Sequence, residues 1–164
     1  MDYTYKKVMP EDVYVSMHPI IETIDVNGEL IKQKKCPNKI SGVEFMDLFA
    51  HLVWEHPTAS AGYYAHKMGL GIRDFATIIR IYSGLTALQW RDRYFMPGIY
   101  EMLMETNYNV SDVAKKLGFS SIEVFNKYFT RHNKCSPKAW RYRQRGFNVN
   151  KKEYYRMKVT NAGL

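Results

Sequence analysis

Residues 110–129 read VSDVAKKLGFSSIEVFNKYF, which is the pattern of a helix, a tight turn and a second helix. Val113 and Leu117 lie four residues apart, so they share one face of the first helix. Ala114 is small enough to let the second helix approach closely, and Gly118 can adopt the left-handed conformation that ends a helix. The stretch therefore predicts a helix-turn-helix motif.

The second helix of this motif is predicted over residues 121–131. Phe125 and Phe129, again four residues apart, would bury it against the first helix. Ser120 is predicted to cap its N-terminus, with Glu123 completing a capping box. The face left outward holds Ile122, Glu123, Asn126 and Lys127.

The same arrangement occurs a second time, upstream in the chain. Ala65 and Gly69 precede Ala114 and Gly118 by 49 residues. Further on, the matching residues are 50 apart, and these pairs are Phe75 with Phe125, Ile79 with Phe129, Thr86 with Ser136, and Trp90 with Trp140. Internal repetition at a fixed spacing indicates a repeated structural unit, and one residue less in the upstream turn accounts for the change of spacing.

The remaining helices follow from the 3.6-residue apolar period that begins near Val43. One helix is expected to end near Pro57, and the others are expected over residues 58–68, 72–82, 86–95, 99–105, 111–117 and 137–143. Pro97-Gly98 is expected to interrupt or kink the helix that joins the two copies, because an interior proline costs about 3 kcal/mol unless the helix bends. The predicted fold is mainly α.

Residues 1–40 are instead predicted to form strands. Two β-prone runs flank Asn27-Gly28, a dipeptide suited to the type I′ turn of a hairpin. A second short strand pair is possible over residues 13–17, where apolar and polar residues alternate. Residues 36–39 would then link this hairpin arm to the helical part.

The composition is that of a globular protein without enzymatic or metal signatures. With 164 residues, 46% of them hydrophobic, the chain can bury a core without disulfides, and it is too short for an α/β barrel. No membrane span or signal peptide is expected. Cys36 and Cys135 are too few for a disulfide scaffold or a structural zinc site, and His51 and His56 lack zinc-motif spacing. We expect no catalytic residues, no metal and no cofactor.

The net charge of +8 is distributed unevenly. Residues 1–40 carry no net charge, residues 41–85 carry −1, residues 86–145 carry +6, and residues 146–164 carry +3. The last segment has no convincing apolar period and is expected to be a basic, partly disordered tail. An excess of positive charge confined to one half of a chain indicates a surface that meets phosphate.

With these motifs the chain resembles the AraC/XylS family of bacterial transcription regulators. The resemblance rests on residues 110–129 and on the segment KCSPKAWR at 134–141, and it extends over about residues 43–145. It implies two helix-turn-helix motifs, at about 58–82 and 110–131, joined by a linker helix at about 86–105. Nothing in residues 1–40 matches, and forty residues are too few for the family's usual large effector domain.

The resemblance also implies what the protein does and which residues do it. It implies a cytoplasmic, nucleoid-associated regulator that places two recognition helices in successive major grooves of double-stranded DNA and contacts RNA polymerase. The implied base-contacting residues are Arg73, Ala76 and Thr77 in the first motif and Ile122, Glu123 and Lys127 in the second, with Asn126 beside them. The expected phosphate-contacting residues are Ser121, Arg131, Lys134, Lys138, Arg141 and Arg143, with Arg145 nearby.

Several of these assignments have alternatives. Arg73 can bind guanine bidentately or pair with Asp74 or Glu55, and Ala76 cannot hydrogen-bond a base. Glu123 can accept from cytosine or only cap its helix, and the cap is favoured. Lys134 stands where the family has glycine.

Alternatives to the overall function also stay open. The first motif lies in a segment without positive charge, so it could bind a protein partner while only the second motif contacts DNA. A peripheral membrane protein anchored by the basic tail is disfavoured, because residues 146–164 show no clear apolar face. Residues 1–40 could form a homodimer, and the sequence identifies no small-molecule effector site.

Overall fold

The computed structural model describes residues 6–16, 20–24, 27, 30–34, 38–105 and 107–146, and in this part the chain is mainly helical. The helices are α1 (Pro10–Val13), α2 (Glu44–Glu55), α3 (Ala61–Lys67), α4 (Ile72–Ser83), α5 (Ala87–Glu105), α6 (Val110–Lys116), α7 (Ile122–Asn133) and α8 (Pro137–Gly146). The mainly α class expected from the apolar period is confirmed.

Two strands precede the long helices. Strands β1 (Ile20–Ile24) and β2 (Leu30–Lys34) pair antiparallel, with Ile20 opposite Lys34 and Ile24 opposite Leu30. The turn predicted between them includes Gly28, which lies outside the described residues, so the type I′ hairpin stays a prediction. Cys36 and the basic tail from residue 147 also lie outside the described residues.

The chain divides into two compact units, Met1–Gly98 and Ile99–Leu164. In the first unit, the fully buried Phe49 of α2 lies at the centre of the core. Its ring centroid is 5.3 Å from that of Tyr64 in α3, 5.3 Å from that of Phe75 in α4 and 5.0 Å from that of Trp90 in α5. One side chain of α2 therefore contacts all three helices that build the first copy of the repeat.

The N-terminal segment packs on this first unit. The Val8 amide donates to the carbonyl of Tyr82 (2.9 Å), and the Trp90 indole N–H donates to the carbonyl of Val8 (3.1 Å). Val13 is fully buried in the same core. The segment around Val8 and Val13 is thus part of the core of the first unit.

The strand pair expected over residues 13–17 is wrong for residues 13–16. Pro10 occupies the first position of the one-turn helix α1, where a missing N–H costs nothing and the fixed φ suits the helix. The Asp12 carboxylate accepts from the Met9 amide at 2.9 Å and closes the turn. Over so few residues, the alternation of apolar and polar side chains favours a strand less strongly than Pro10 and Asp12 favour the start of a helix.

The interruption expected in the joining helix is also wrong, because α5 is continuous from Ala87 to Glu105 with Pro97 inside it. An interior proline removes one N–H from the hydrogen-bond ladder and crowds the carbonyl four residues earlier, at a cost of about 3 kcal/mol. Tyr94 and Phe95 before it and Ile99 after it are fully buried, and burial of large apolar side chains can offset a cost of this size. A kink at Pro97-Gly98 stays a prediction.

The second unit has its own aromatic core. Phe125 and Phe129 of α7 are fully buried, and the Phe119 ring that follows α6 lies 4.9 Å from that of Phe125. Trp140 of α8 is half-buried and stacks on Tyr100 at 4.6 Å. The spacing of four between the two phenylalanines buries one face of α7, as the sequence predicted.

Candidate nucleic-acid interface

The two copies of the repeat form matching helix-turn-helix motifs, α3–α4 and α6–α7. Their first helices begin at equivalent caps: Ser60 Oγ accepts from the Tyr63 amide at 3.2 Å, and Asn109 Oδ1 accepts from the Asp112 amide at 2.8 Å. A side-chain oxygen at this position satisfies a backbone donor that the helix itself cannot. Each motif therefore has a locally defined start.

The turns also match. Gly69 and Gly118 have φ of +69° and +85°, in the left-handed region that glycine adopts without a steric penalty. After each turn the chain bonds back to the small residue of the first helix. The Leu70 amide donates to Ala65 O at 2.9 Å, and the Phe119 amide donates to Ala114 O at 3.0 Å. The sequence prediction of both turns is confirmed in detail.

In α4 the buried and exposed faces are sharply separated. Phe75 and Ile79 are fully buried, whereas the implied base-contacting residues are all exposed, and these are Arg73, Ala76 and Thr77. Within the described residues, Arg73 makes no ion pair with Asp74 or Glu55. Its guanidinium is therefore available on the outer face of the helix.

In α7, Glu123 and Lys127 lie on the face opposite the two buried phenylalanines, and both are exposed. Ile122 and Asn126 are half-buried and lie between that outer face and the buried one. The outward face predicted for all four residues is therefore found for Glu123 and Lys127, with Ile122 and Asn126 at its edge.

The cap of α7 is Ser121, and the prediction of Ser120 is wrong. Ser121 Oγ accepts from the Val124 amide at 3.2 Å, which makes Ile122 the first helical residue and Glu123 the second. The pKa of Glu123 lies below its usual range. The larger cause is the hydrogen bond that its carboxylate accepts from its own backbone N–H, and the smaller cause is the hydrogen bond from the Ser121 side chain. The carboxylate thus acts at the helix end, and the phosphate contact of Ser121 stays a prediction.

The expected phosphate-contacting cations fall into two groups. Four are exposed in the second unit, and these are Arg131, Lys134, Lys138 and Arg143. Lys134 ends α7 with φ +59°, the left-handed conformation that Gly84 adopts at the end of α4. The chain therefore keeps the backbone geometry of glycine at Lys134 while adding a positive charge.

Arg141 belongs to the other group, because its guanidinium is bound within the protein, and its phosphate contact stays a prediction. Its Nε donates to Leu103 O at 2.8 Å and its Nη1 donates to Tyr108 O at 2.7 Å. Burial, followed by the nearby charge of Arg145, lowers the pKa of Arg141. Arg145 also donates to Leu103 O, at 3.1 Å. Both guanidiniums bind carbonyls left free at the end of α5.

The sequence contained a signal for this role that the prediction missed. Arg91 precedes Arg141 by 50 residues, the spacing of the repeat, and it is buried. Its Nη1 donates to Ala59 O at 2.6 Å, and Ala59 precedes Tyr108 by 49 residues. The matched pairs identify both arginines as parts of the scaffold.

Arg80 is an exposed residue of α4 that the sequence interpretation left out. It lies three residues after Thr77 and seven after Arg73, so it falls on the same outer face. The i, i+4, i+7 spacing from Arg73 was available in the sequence as a signal.

Other kinds of site find no support in the described ranges. No group of three or more His, Cys, Asp or Glu side chains there is placed to hold a metal ion. None of the described helices combines the length and the apolarity that crossing a membrane requires.

Comparison with known proteins agrees with this geometry. A family model described as a helix-turn-helix domain matches residues 64–143. The regulatory protein PocR of Salmonella typhimurium is 28% identical over 67 residues, which are 41% of this chain and 22% of PocR. The chain thus spans about a fifth of the length of this curated relative.

Solved structures share the fold. The DNA-binding domain of AdpA, described as a global transcriptional factor and solved with a target DNA, is 25% identical, with a TM-score of 0.53 over 62% of this chain and 94% of that one. The C-terminal domain of the response regulator yesN from Fusobacterium nucleatum is 16% identical, with a TM-score of 0.55 over 60% of this chain and 99% of that one. The C-terminal domain of AraT, a response regulator from Geobacillus stearothermophilus, is 14% identical, with a TM-score of 0.55 over 62% and 87%.

Proposed function

The chain carries a helix-turn-helix DNA-binding domain of the AraC/XylS family over residues 64–143, and on that premise we propose that it is a sequence-specific regulator of transcription. It would bind double-stranded DNA by inserting α4 and α7 into adjacent segments of the major groove. The single observation that carries this proposal is the repeated exposure of one helix face. In both motifs the second helix buries its aromatic or aliphatic face and leaves the opposite face in solvent.

Sequence preference would come from the two outer faces. In α4, the exposed Arg73 can bind the O6 and N7 atoms of guanine, which is the commonest specific contact of arginine. In α7, Lys127 and Asn126 can contact base edges, while Ile122 offers apolar surface. Glu123 is expected to act mainly through the end of its own helix, because its carboxylate accepts from the backbone and from Ser121.

Affinity would come largely from the second unit. The exposed cations Arg131, Lys134, Lys138 and Arg143 can neutralise phosphates and release the counterions that surround DNA. This term is independent of sequence, so it holds the protein on the duplex while the recognition helices discriminate between bases. The positive charge concentrated after residue 85 is consistent with this division of roles.

The experiment that tests the proposal is selection of binding sites from random duplexes, followed by a salt titration on the selected site. Four phosphate contacts predict that log K falls against log salt with a slope of about −3 to −4. The expected footprint covers two major-groove segments about one helical turn apart. A binding constant that does not change with salt would contradict the proposal.

In a second candidate function, only α7 contacts DNA, and the first motif binds a protein partner. The observation that favours it is the net charge of −1 over residues 41–85. Arg73→Ala separates the two, since it should change the selected sequence only if α4 contacts DNA. The exposed Lys39→Ala, which removes the same charge elsewhere in the first unit, is the control.

RNA polymerase as a partner, a homodimer through residues 1–40 and a cytoplasmic, nucleoid-associated location complete the proposal. These parts rest on the family resemblance or on the unassigned N-terminal segment, and no described residue is assigned to them. Sedimentation of the full chain with and without DNA would give its oligomeric state.

A further inference from the structure

We infer that the outer face of α4 recognises the 5-methyl group of a thymine, and that Arg80 contacts a DNA phosphate beside it. The inference rests on the proposed function and states which chemical group the first recognition helix contacts. It assigns a role to two residues outside the implied set, Arg80 and Ile81.

The first observation is a shallow apolar depression on this face. It has a volume of about 250 Å³ and is lined by Ala76, Thr77, Arg80 and Ile81. Ile81 is 60% exposed, so its side chain is available to a ligand at this surface. Two small methyl-bearing residues and an exposed isoleucine thus form one apolar surface on the outer side of α4.

The second observation concerns the hydroxyl group of Thr77. Thr77 Oγ1 donates its proton to the backbone carbonyl of Arg73 at 2.9 Å. The side chain therefore has no free donor, and it offers a methyl group and the remaining lone pairs of its oxygen. Ala76 beside it offers a methyl group only.

These groups match one base better than the others. In the major groove, thymine is the base that presents a methyl group, and apolar contact from alanine or from a threonine methyl is a common way to recognise it. Guanine offers only acceptors there, which neither Ala76 nor the engaged Thr77 hydroxyl can satisfy. The depression is therefore suited to a thymine, and Arg73 remains the group suited to a guanine nearby.

Arg80 completes this surface. It stands seven residues after Arg73, about 10 Å further along the helix axis and on the same face. It makes no ion pair within the described residues. Arg80 lines the depression beside Ile81, and its long side chain lets the guanidinium reach past the base contact to the phosphate backbone. Arg80 should thus add affinity without changing sequence preference.

The methyl contact is tested by replacing each thymine of the selected duplex singly with deoxyuridine, which removes only the methyl group. We expect roughly fourfold weaker binding at one position, the effect of one buried methyl-sized group. The Thr77→Ser variant keeps the hydroxyl group and loses the methyl group. This variant should bind the thymine duplex and the deoxyuridine duplex with nearly equal affinity. Thymines at other positions serve as the internal control.

The phosphate contact is tested by Arg80→Ala on the same duplex. The salt slope should become smaller by about one, with the selected sequence unchanged. Arg80→Lys should restore most of the slope because it restores the charge. Lys39→Ala is the matched control for the loss of one charge in the first unit, and it should leave the slope unchanged.

The outcomes separate this inference from the proposed function. If the protein binds DNA with the expected salt dependence, but deoxyuridine has no effect anywhere or its effect is the same in Thr77→Ser, the methyl contact is overturned and the proposed function stands. An unchanged slope in Arg80→Ala overturns the phosphate contact. Absence of any duplex binding overturns the proposed function and this inference with it.

Discussion

Arg141 donates from its Nη1 atom to the backbone carbonyl of Tyr108 at 2.7 Å, and this bond ties α8 to the segment that precedes α6. The equivalent bond in the first unit joins Arg91 to Ala59 at 2.6 Å. In both copies an arginine thus fixes the helix after the motif to the chain before it. The scaffold that presents each recognition helix is therefore braced by a cation that binds backbone carbonyls.

Arg141→Ala is expected to destabilise the second unit by about 2 kcal/mol. The variant leaves the carbonyls of Leu103 and Tyr108 without the charged donor that they now bind. Urea unfolding would measure this change. Arg143→Ala is the matched control, because it removes an equal charge from an exposed position of the same helix. That control should leave stability within about 0.5 kcal/mol and lower the salt slope of DNA binding. Equal stability of the two variants would contradict the bracing role.

Val13→Ala is expected to cost about 2 kcal/mol of unfolding free energy, because Val13 is 0% exposed in the core of the first unit. Val15→Ala, two residues on and 45% exposed, should change stability by less than about 0.5 kcal/mol. Both values can be read from denaturant unfolding. If the two substitutions were equally mild, the N-terminal segment would not belong to the core.

The same packing alters the expectation for truncation. The resemblance to the AraC/XylS family leaves out residues 1–40, and on the sequence alone residues 41–164 are expected to bind DNA without them. Since Val8 and Val13 are buried in the first unit, a chain that begins at residue 41 should unfold its first unit at a lower denaturant concentration than the full chain. Full stability of that truncated chain would show that the segment is dispensable.

Lys134→Gly is expected to stabilise the second unit by about 1 kcal/mol, because it removes the strain of a side chain in the left-handed region. The same variant should weaken DNA binding, since it removes an exposed cation. Thermal unfolding and a binding titration would measure the two effects. Lys134→Ala is the control, which loses the charge and keeps the strain, and any gain in its stability would argue against this explanation.

Lys127→Ala is expected to weaken binding to the selected duplex about tenfold if the lysine contacts a base, and to relax preference at that position. Lys115→Ala removes an exposed charge from α6 and serves as the control. Fluorescence anisotropy on the selected and a scrambled duplex would separate loss of specificity from loss of charge. Unchanged affinity and preference in Lys127→Ala would mean that α7 does not enter the groove.

Ser121→Ala is expected to destabilise α7 by about 1 kcal/mol, the usual cost of an N-cap. It should also raise the pKa of Glu123 towards its ordinary value, because the Ser121 side chain is one of the two groups that lower it. Because the pKa of Glu123 is lower in the folded state than in the unfolded state, its carboxylate stabilises the folded protein at pH values above the unfolded pKa. This contribution is lost as the pH falls through the folded-state pKa. NMR titration of the Glu123 carboxyl group measures the shift, and Ser120→Ala should leave it unchanged.

The two helix-turn-helix motifs are the part of the fold that the sequence predicts best. The turns at Gly69 and Gly118, and the burial of Phe75, Phe125 and Phe129, are local consequences of spacing and of glycine's freedom at positive φ. They were therefore predictable residue by residue. The cap of α7 was displaced by one position, because two adjacent serines carry the same local signal and only the backbone geometry distinguishes them.

The roles of the arginines were not predictable in the same way. Arg141 and Arg143 have the same side chain and the same charge, and they lie two residues apart on one helix. Whether a guanidinium meets a carbonyl or solvent depends on which segment lies across from it, and those partners are Leu103 and Tyr108, more than thirty residues away. A count of charges along the chain assigns both residues to DNA.

By itself, the sequence determined the two helix-turn-helix motifs, their repetition and the resemblance to the AraC/XylS family, because these depend on local spacing, capping and turn residues. The tertiary structure alone decided that Val8 and Val13 complete the first core, that α5 continues through Pro97, and that Arg91 and Arg141 brace the scaffold. The physical reason is that burial and hydrogen-bond satisfaction are fixed by partners distant in sequence, whose positions no local pattern encodes.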